Sequence, residues 1–298
     1  MIATTLSIAG SDCSGGAGIQ ADLKAIAAHG GYGASVITAL TAQNTQTVAL
    51  AEVVSKAMLE AQLTAVFEDL NVVAVKTGML PTPEVIVTVA HALREHGPAH
   101  YVLDPVMISK SGFDLIPAES VSALVTHLLP LASLVTPNTH EAQALSGLGA
   151  IRTLADMQEA GRRILASGPR AVLVKGGHLD HGEAIDVLVT PQGCETFTAP
   201  RLAVRHTHGT GCTYSAAIAT RLGQGQALAG AIRDAKVFLT AAIAAGLEVG
   251  HGIGPTNPFY FLESPEAAEA WVASWMAEGR ADVSSSAAHR TSTARPAS

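Results

Sequence analysis

The chain has few of the residues that build disulfide frameworks or nucleic-acid surfaces. Its three cysteines, Cys13, Cys194 and Cys212, form an odd, sparse set that predicts reduced thiols rather than a disulfide framework. The 18 Lys and Arg residues are fewer than the 25 Asp and Glu residues, and they form no cluster that would displace counterions from nucleic acid. Nucleic acid is therefore not an expected partner. A small anion is still an acceptable ligand, because backbone N–H groups can hold phosphate without a basic surface.

Long apolar runs are also missing, although 48% of the residues are hydrophobic and only 14% are charged. No stretch reaches the roughly 18 uninterrupted apolar residues that a membrane-spanning helix needs. Residues 1–6 lack the basic region and the long apolar core of a secretory signal. We therefore expect a soluble cytoplasmic protein without a membrane partner.

Short β-rich segments alternate with amphipathic segments along most of the chain. The predicted strands are residues 4–8, 35–38, 72–76, 101–103, 134–136 and 171–175, with a hairpin formed by 187–190 and 195–198. Helices are predicted between them, with Ser55 and Thr153 as N-caps, Pro83 in a first turn and Pro117 opening a helix. This alternation is typical of an α/β protein with a mainly parallel sheet and helices on both faces.

No linker divides the main part of the chain. We expect one domain over residues 1–262, a C-terminal helix over 263–279 and a tail over 280–298. The tail is rich in Ser, Ala, Thr and Arg, and it has little to bury, so we expect it to be disordered.

Glycines and polar residues follow several of the predicted strands. These segments are residues 10–12, 76–79, 104–107, 137–138 and 175–177. Ligands of open α/β sheets bind beyond the carboxyl ends of the strands. The pattern therefore predicts one shared cleft at this edge of the sheet.

The most informative segment is residues 206–212, His-Thr-His-Gly-Thr-Gly-Cys, directly before a predicted helix. Gly209 and Gly211 allow a tight turn, and the first N–H groups of the helix have no partner within it, so the segment predicts an anion site. Cys212 lies at this positive end. The helix N-terminus is expected to lower the pKa of its thiol from about 8.5 toward neutrality, so that it can take a proton from a substrate hydroxyl. The alternative is a glycine turn that opens a core helix, with Cys212 as a small buried residue.

A second glycine cluster, residues 10–18, also precedes a helix. It is not a Walker A loop, because no Lys-Ser or Lys-Thr pair follows Gly15. A dinucleotide site would need an acidic residue about 20 positions further on, and none occurs between Asp22 and Glu52. We therefore interpret this cluster as a loop that approaches another kind of ligand.

Single polar residues near these loops allow both functional and structural interpretations. Asp22 is either a pocket acid or a helix-start acid that complements the helix dipole. The Gln43 amide offers a donor and an acceptor that suit the edge of a heteroaromatic ring, although such a residue is more often an ordinary loop residue.

Carboxylates and one lysine near the other strand ends have similar alternatives. Asp104 is held extended by the proline that follows it. Carboxylates placed like those of Asp104 and Glu141 commonly hold Mg²⁺ through water. Glu141 lies three residues after Asn138, so it is equally well explained as an ordinary acidic residue in the first turn of a helix. Lys175 can reach a phosphate or point into solvent.

Taken together, these motifs resemble the hydroxymethylpyrimidine/phosphomethylpyrimidine kinase family, the thiamine-pathway branch of the ribokinase-like superfamily. The resemblance covers about residues 3–262, in order and with family-like spacing. The matching segments are residues 9–12, 14–22, 42–45, 76–79, 104–107, 110–112, 136–138, 175–178, 208–212 and 248–255.

The resemblance implies a ribokinase-like three-layer α/β sandwich, usually a homodimer. It implies ATP- and Mg²⁺-dependent phosphorylation of 4-amino-5-hydroxymethyl-2-methylpyrimidine, followed by phosphorylation of the monophosphate to the diphosphate. One departure is visible: Cys13 stands where the family usually has proline, and we expect this change to loosen the first loop.

The matching positions imply roles for individual residues. Gln43 is expected to bind the edge of the pyrimidine. The residues expected to line the pocket around it are Gly10, Ala17, Asp22, Met79 and Val106. The residues expected near the ATP phosphates and Mg²⁺ are Asn138, Glu141, Lys175 and Asp104, with Asp104 and Glu141 holding the metal ion. Those expected at the reacting phosphate are Gly209, Thr210 and Gly211, with Cys212 where ribokinase relatives have a catalytic aspartate.

Three alternative functions stay open. A pyridoxal kinase shares the glycine-rich loop and the cysteine, and the preference for an aminopyrimidine depends on Gln43 and Met79. A non-catalytic pyrimidine-binding protein would use the same pocket, although the intact segment 209–212 argues against it. A thiol enzyme with Cys212 as its nucleophile would need a His–Cys pair, which the sequence does not reveal.

Overall fold

The fold is described by a computed structural model that covers residues 2–107, 117–177 and 182–263, together with residue 273. Within this part of the chain, the strands are β1 (Thr4–Asp12), β2 (Tyr32–Gln43), β3 (Val48–Val53), β4 (Val72–Thr77), β5 (His100–Leu103), β6 (Leu134–Val135), β7 (Val172–Lys175), β8 (Glu183–Thr190) and β9 (Gly193–Pro200). The helices are α1 (Gly18–Ala28), α2 (Lys56–Asp69), α3 (Pro83–His96), α4 (Ala118–His127), α5 (Thr139–Ser146), α6 (Leu154–Leu165), α7 (Thr210–Gly223), α8 (Leu228–Ala244) and α9 (Tyr260–Glu263), with a short 3-10 helix at Leu129–Leu131.

The strands within the described residues form one sheet in the order β3-β2-β1-β4-β5-β6-β7-β8-β9. The pairs from β2 through β7 are parallel, whereas β3 at one edge and β8 and β9 at the other run antiparallel to their neighbours. The carboxyl ends of six neighbouring parallel strands therefore lie at one edge of the sheet. This arrangement confirms the predicted mainly parallel α/β architecture.

Helices cover both faces of the sheet, and each face has its own hydrophobic core. Tyr101 and Leu103 of β5 pack into a cluster with α2 through α6, whereas Val102 between them packs with α1, α7 and α8. Successive strand residues point to opposite faces, which explains why buried parallel strands are apolar throughout. Both cores together position α7 and the loops that follow the strands.

Helix starts follow the capping chemistry predicted from the sequence. The Ser55 side chain accepts a hydrogen bond from the N–H of Met58, and Thr153 forms a capping box with Asp156. Pro83 is in the first turn of α3, where its missing N–H costs nothing. These contacts confirm the predicted beginnings of α2, α3 and α6.

The structure adds one strand that the sequence patterns did not predict. Five of the six residues of β3 are exposed, so the strand lacks the alternation of apolar and polar residues on which the prediction depends. β2 is also longer than predicted at both ends, because residues 32–34 pair with β1 and residues 39–43 pair with β3.

Some predictions fall on other parts of the chain. The predicted helix 263–279, apart from Glu263 and residue 273, and the predicted tail 280–298 lie outside the described residues. The same holds for the segment 110–112 and for His178. Among the described helices, none is both long and apolar enough to cross a lipid bilayer.

Candidate active site

The polar residues predicted to share a cleft do come together at the carboxyl edge of the sheet. Asp12 ends β1, Thr77 ends β4 and Lys175 ends β7, and these strands are joined through parallel neighbours. Asp104 directly follows β5, and Asn138 forms a bridge with Lys175. The predicted meeting of these strand ends is confirmed, whereas their use as one ligand site stays a prediction.

Helix α7 begins at this edge without a side-chain cap. Gly209 is its N-cap and has a φ of 78°, and the first bond of the helix runs from Thr213 N–H to Gly209 C=O. The N–H groups of Gly211 and Cys212 donate to no other described residue. Such free N–H groups at the positive end of a helix are suited to an anion.

Two glycine turns pack against each other at the start of α7. A Cβ placed on Gly209 would lie 1.9 Å from the carbonyl oxygen of Gly16. A Cβ placed on Gly18 would lie 2.3 Å from the carbonyl oxygen of Gly10. Only glycine permits backbones to approach each other this closely. The two predicted glycine loops therefore pack directly against each other.

A buried ion pair lies on the other side of α7. Lys175 Nζ donates to Asp104 Oδ1 at 2.9 Å, and Thr136 and Ser215 donate to the same carboxylate. Burial alone would raise the pKa of Asp104, but the ammonium groups of Lys175 and Lys76 hold it below its usual value. A Cβ placed on Gly211 would lie 3.4 Å from Lys175 Nζ and 3.5 Å from Asp104 Oδ2, so the anion loop borders this pair.

Asn138 and Glu141 form a capping box at the start of α5. The Asn138 side chain accepts from Glu141 N–H at 2.9 Å, and the Glu141 carboxylate accepts from Asn138 N–H at 2.7 Å. Glu141 is therefore a first-turn acid, which was one of its two interpretations. Burial raises the pKa of Glu141 to about 7, against the lowering influence of Lys175 and with Asp104 raising it further.

Asp22 lies beneath the loops and is paired with a lysine that the sequence analysis did not single out. Lys76 Nζ donates to both carboxylate oxygens of Asp22, at 2.8 and 2.9 Å, and both side chains are 0% exposed. Burial opposes the ammonium form, but the Asp22 carboxylate raises the pKa of Lys76 above its usual value. A lysine at the end of an otherwise apolar strand was the available sequence signal.

The predicted lowering of the Cys212 pKa is wrong. Burial raises the pKa of this thiol to about 11, because loss of hydration disfavours the thiolate more than Lys76 favours it. The sequence argument considered the helix terminus alone and did not include burial. At neutral pH the Cys212 thiol therefore keeps its proton.

Two of the residues expected around a pyrimidine, Met79 and Ala17, lie at the first glycine loop. A Cβ placed on Gly10 would lie 3.0 Å from Met79 Cε, and the Met79 carbonyl accepts from Thr38. Ala17 precedes α1, and Val106 follows Asp104 by two residues.

Cys13 is tied to the backbone of Gln43. Its thiol donates to the Gln43 carbonyl at 3.2 Å and accepts from the Gln43 N–H at 3.4 Å. Proline at this position has no group for either bond. Cys13 therefore links the first loop to the next one, and the expected loosening of the first loop stays a prediction.

Asp12 and His208 connect the two glycine loops, and the sequence analysis assigned neither of them a role. His208 Nε2 lies 2.9 Å from Asp12 Oδ2, although the two residues are 196 positions apart. His208 directly precedes Gly209, and its N–H donates to the Gly254 carbonyl. No local pattern links residues so distant in sequence, so only the fold reveals this contact.

Comparison with known proteins gives the same family over most of the chain. A family model described as phosphomethylpyrimidine kinase matches residues 12–257. A hydroxymethylpyrimidine/phosphomethylpyrimidine kinase of Rhizobium meliloti is 49% identical over 262 residues, which is 87% of this chain and 98% of the relative. A thiamine biosynthesis bifunctional protein of Geobacter sulfurreducens is 49% identical over 254 residues, which is 85% of this chain. The match covers 52% of that protein, so the chain spans about half its length.

A solved structure of the pyridoxal kinase of Bacillus subtilis, in complex with ADP, has the same fold. Its TM-score is 0.83 at 37% sequence identity, over 88% of this chain and 99% of that one. This agreement confirms the ribokinase-like fold predicted from the motifs.

The packing of Gly209 against Gly16 predicts unequal effects of two glycine substitutions. Gly225 has a φ of 84° and open space around it, whereas Gly209 has a similar φ and no space. Gly225→Ala should cost only the left-handed strain of about 1–2 kcal/mol. Gly209→Ala should cost about 1–3 kcal/mol more, because the methyl group overlaps the Gly16 carbonyl. Free energies of unfolding from urea titration would check this difference, and equal losses would contradict the proposed packing.

Proposed function

The chain belongs to the phosphomethylpyrimidine kinase family, as its sequence motifs predicted, and on this premise we propose its reaction. It transfers the terminal phosphate of ATP to the hydroxymethyl oxygen of 4-amino-5-hydroxymethyl-2-methylpyrimidine, and then phosphorylates the monophosphate to the diphosphate for thiamine diphosphate synthesis. The observation that carries this proposal is the position of the Gly209–Cys212 turn. It borders the first glycine loop on one side and the Asp104–Lys175 pair on the other.

In the proposed reaction the acceptor oxygen attacks the γ-phosphorus while the bond from that phosphorus to the β-bridging oxygen breaks. ADP leaves, and the hydroxyl proton is released. Charge spreads over the equatorial phosphate oxygens during transfer, so N–H groups aimed at them lower the barrier. The unpartnered N–H groups of Gly211 and Cys212, with Thr210 completing the turn, support this role.

The nucleotide phosphates are assigned to the side of the site that carries Lys175. The ADP complex of the Bacillus subtilis pyridoxal kinase supports ATP as the donor. Lys175 and the Asn138 turn are the proposed phosphate contacts. Glu141, Lys175 and Asp104 form a buried row of acidic, basic and acidic groups. Burial raises the pKa of Glu141, Lys175 lowers it and Asp104 raises it further.

Mg²⁺ fits this row. Within the described residues, no group of three or more His, Cys, Asp or Glu side chains is placed to hold a metal ion. Mg²⁺ in kinases needs only one or two carboxylates, with water and substrate phosphates as its other ligands. Asp104 and Glu141 are its proposed holders, and when bound it supplies neutralisation of the phosphate charge.

The pyrimidine is assigned to the pocket on the other side of the turn. Gln43 is the proposed reader of the ring edge, and Gly10, Ala17, Met79 and Val106 form the proposed lining. The Asp22 carboxylate is fully buried and accepts hydrogen bonds from Lys76 and Ser7. These contacts favour a structural role for Asp22 beneath the pocket. Its contribution is to keep Lys76 charged near the reacting groups.

Cys212 is the proposed acceptor of the hydroxyl proton. Its raised pKa means that about one thiol in 10⁴ is ionised at pH 7. A loose transition state needs little help from a base, so we assign the larger contribution to the N–H groups of the turn.

A homodimer in the cytoplasm is the proposed state of the protein. Leu40 and Leu50 are 53% and 63% exposed, and they lie on the same face of the β2–β3 pair. A second copy of the chain would cover this apolar face. Sedimentation velocity should therefore give a dimer for the wild type and a monomer for Leu50→Glu; a monomeric wild type would contradict the proposal.

Pyridoxal is the second candidate substrate, favoured by the 37% identity to a pyridoxal kinase. ADP release should be measured with Mg²⁺-ATP and, in parallel, hydroxymethylpyrimidine, its monophosphate or pyridoxal, with product masses recorded. We expect the diphosphate from the monophosphate. Turnover of pyridoxal alone would assign the protein to vitamin B6 salvage, and no ADP release would favour the binding-protein alternative.

The pH dependence of the rate tests the role of Cys212. If its thiolate takes the proton, kcat should rise about tenfold per pH unit between pH 7 and 9, since the active form is the deprotonated one and the pKa is about 11. Cys212→Ala should then remove this slope and lower kcat by about 10²-fold, the lower end of the range for general bases, because a loose transition state needs little help from a base. A wild-type profile as flat as that of Cys212→Ala would exclude the thiolate as the base.

A further inference from the structure

The carboxylate of Asp12 is an acceptor with four donors around it. Oδ1 accepts from the N–H and the hydroxyl of Ser14 at 2.9 and 2.7 Å, and Oδ2 accepts from Ala17 N–H at 2.8 Å. The fourth contact is His208 Nε2, 2.9 Å from Oδ2. Although burial alone would raise it, the pKa of Asp12 is lowered to about 2 by the hydrogen bonds of His208 and Ser14. Asp12 is therefore ionised and can only accept hydrogen bonds.

An ionised Asp12 determines where the His208 ring carries a proton. A nitrogen at 2.9 Å from a carboxylate oxygen must donate, so Nε2 of His208 is protonated. This holds for the neutral ring and for the imidazolium alike. The His208 side chain is 9% exposed, and a Cβ placed on Gly16 would lie 2.3 Å from its Cδ2 atom, so the position of the ring is fixed by packing.

The Gln43 amide faces the same nitrogen. Its Nε2 atom lies 3.2 Å from His208 Nε2, and its Oε1 atom lies 3.4 Å from the Thr41 hydroxyl. An amide NH₂ opposite a protonated ring nitrogen would set two donors against each other. The Thr41 hydroxyl meanwhile donates its one proton to the Ser11 carbonyl at 2.9 Å.

A half-turn of the amide resolves both conflicts. The Gln43 oxygen and Asp12 Oδ2 then share the single Nε2–H proton of His208 in a three-centre hydrogen bond, with Asp12 as the nearer acceptor. The Gln43 NH₂ donates to the Thr41 oxygen. The two ends of a carboxamide have nearly the same shape, so its orientation is decided by the surrounding hydrogen bonds. Every polar group in this set then has a partner of the opposite kind.

We propose that Asp12, acting through the Nε2–H of His208, fixes the orientation of the Gln43 amide and makes His208 a specificity-determining positioning residue. The inference rests on the proposed function, in which Gln43 reads the ring edge of the substrate. A fixed amide presents its donor and acceptor in one order only. A freely turning amide would present either order.

The order matters because two related rings differ in it. The 4-amino ring presents an acceptor at ring N3 and a donor at the amino group. The corresponding 4-oxo ring presents a donor at N3 and an acceptor at the carbonyl oxygen. An enzyme with the fixed amide should strongly prefer the 4-amino compound, because the wrong order leaves buried polar groups unpaired.

The test compares kcat/KM for the 4-amino substrate and its 4-oxo analogue in variants of His208. His208→Phe removes the donor, and the preference for the 4-amino ring should fall about 10- to 100-fold, mainly through KM. His208→Gln supplies an amide N–H in place of Nε2–H and should restore most of the preference. Ser14→Ala removes a bond to the same Asp12 carboxylate but leaves the His208 contact, so its preference should match the wild type.

A spectroscopic measurement on the wild-type chain makes the test independent of turnover. Long-range ¹H–¹⁵N spectra of the histidine-labelled protein, with His208 assigned by its loss in His208→Gln, report which ring nitrogen is protonated. We expect protonated Nε2. An unprotonated Nε2, or an unchanged preference in folded His208→Phe, would overturn the inference. Failure of the proposed function would instead appear as a wild type that turns over neither pyrimidine.

Discussion

The site depends on the backbone contact between Gly209 and Gly16. Because neither residue has a side chain, the turn before α7 lies directly on the first glycine loop. This contact determines the direction of the first N–H groups of α7. The strand ends of the sheet then determine which side chains surround those N–H groups. Met79 and Gln43 lie on the side of the first loop, whereas Asp104 and Lys175 border Gly211. One packing contact therefore places the proposed acceptor pocket and the proposed nucleotide side around a single anion site.

Buried charges extend this arrangement below the loops. Asp22 is paired with Lys76, and Asp104 with Lys175, so these two buried carboxylates each have an ammonium partner. A buried charge without a partner is strongly unfavourable, which explains why these pairs form. Burial raises the pKa of Glu141, and Lys175, which is bonded to Asp104, offsets this only in part. In the proposed kinase reaction, a phosphate-bound cation would add positive charge beside Glu141 and favour its ionised form.

The sequence predicted the alternation of strands and helices, and the location of the site, because both follow from local patterns. Glycine turns and polar strand ends are visible without the fold. β3 was missed because its residues are mostly exposed, and the Asp12–His208 contact was missed because it joins residues 196 positions apart. The pKa of Cys212 was predicted with the wrong sign, since burial depends on packing that a helix-terminus argument ignores. Cys13 shows the same limit: its bonds to Gln43 depend on two loops meeting.

The central claim is that the N–H groups at the start of α7 hold the phosphate during transfer. Gly211→Ala tests it most directly, because its methyl group would make only ordinary contacts with Lys175 and Asp104 while occupying the space next to those N–H groups. The free energy of unfolding should stay within about 1 kcal/mol of the wild type, since alanine is well tolerated in helices. The kcat for phosphorylation of hydroxymethylpyrimidine should fall by about 10²- to 10³-fold. Wild-type turnover in a stably folded Gly211→Ala protein would contradict the account.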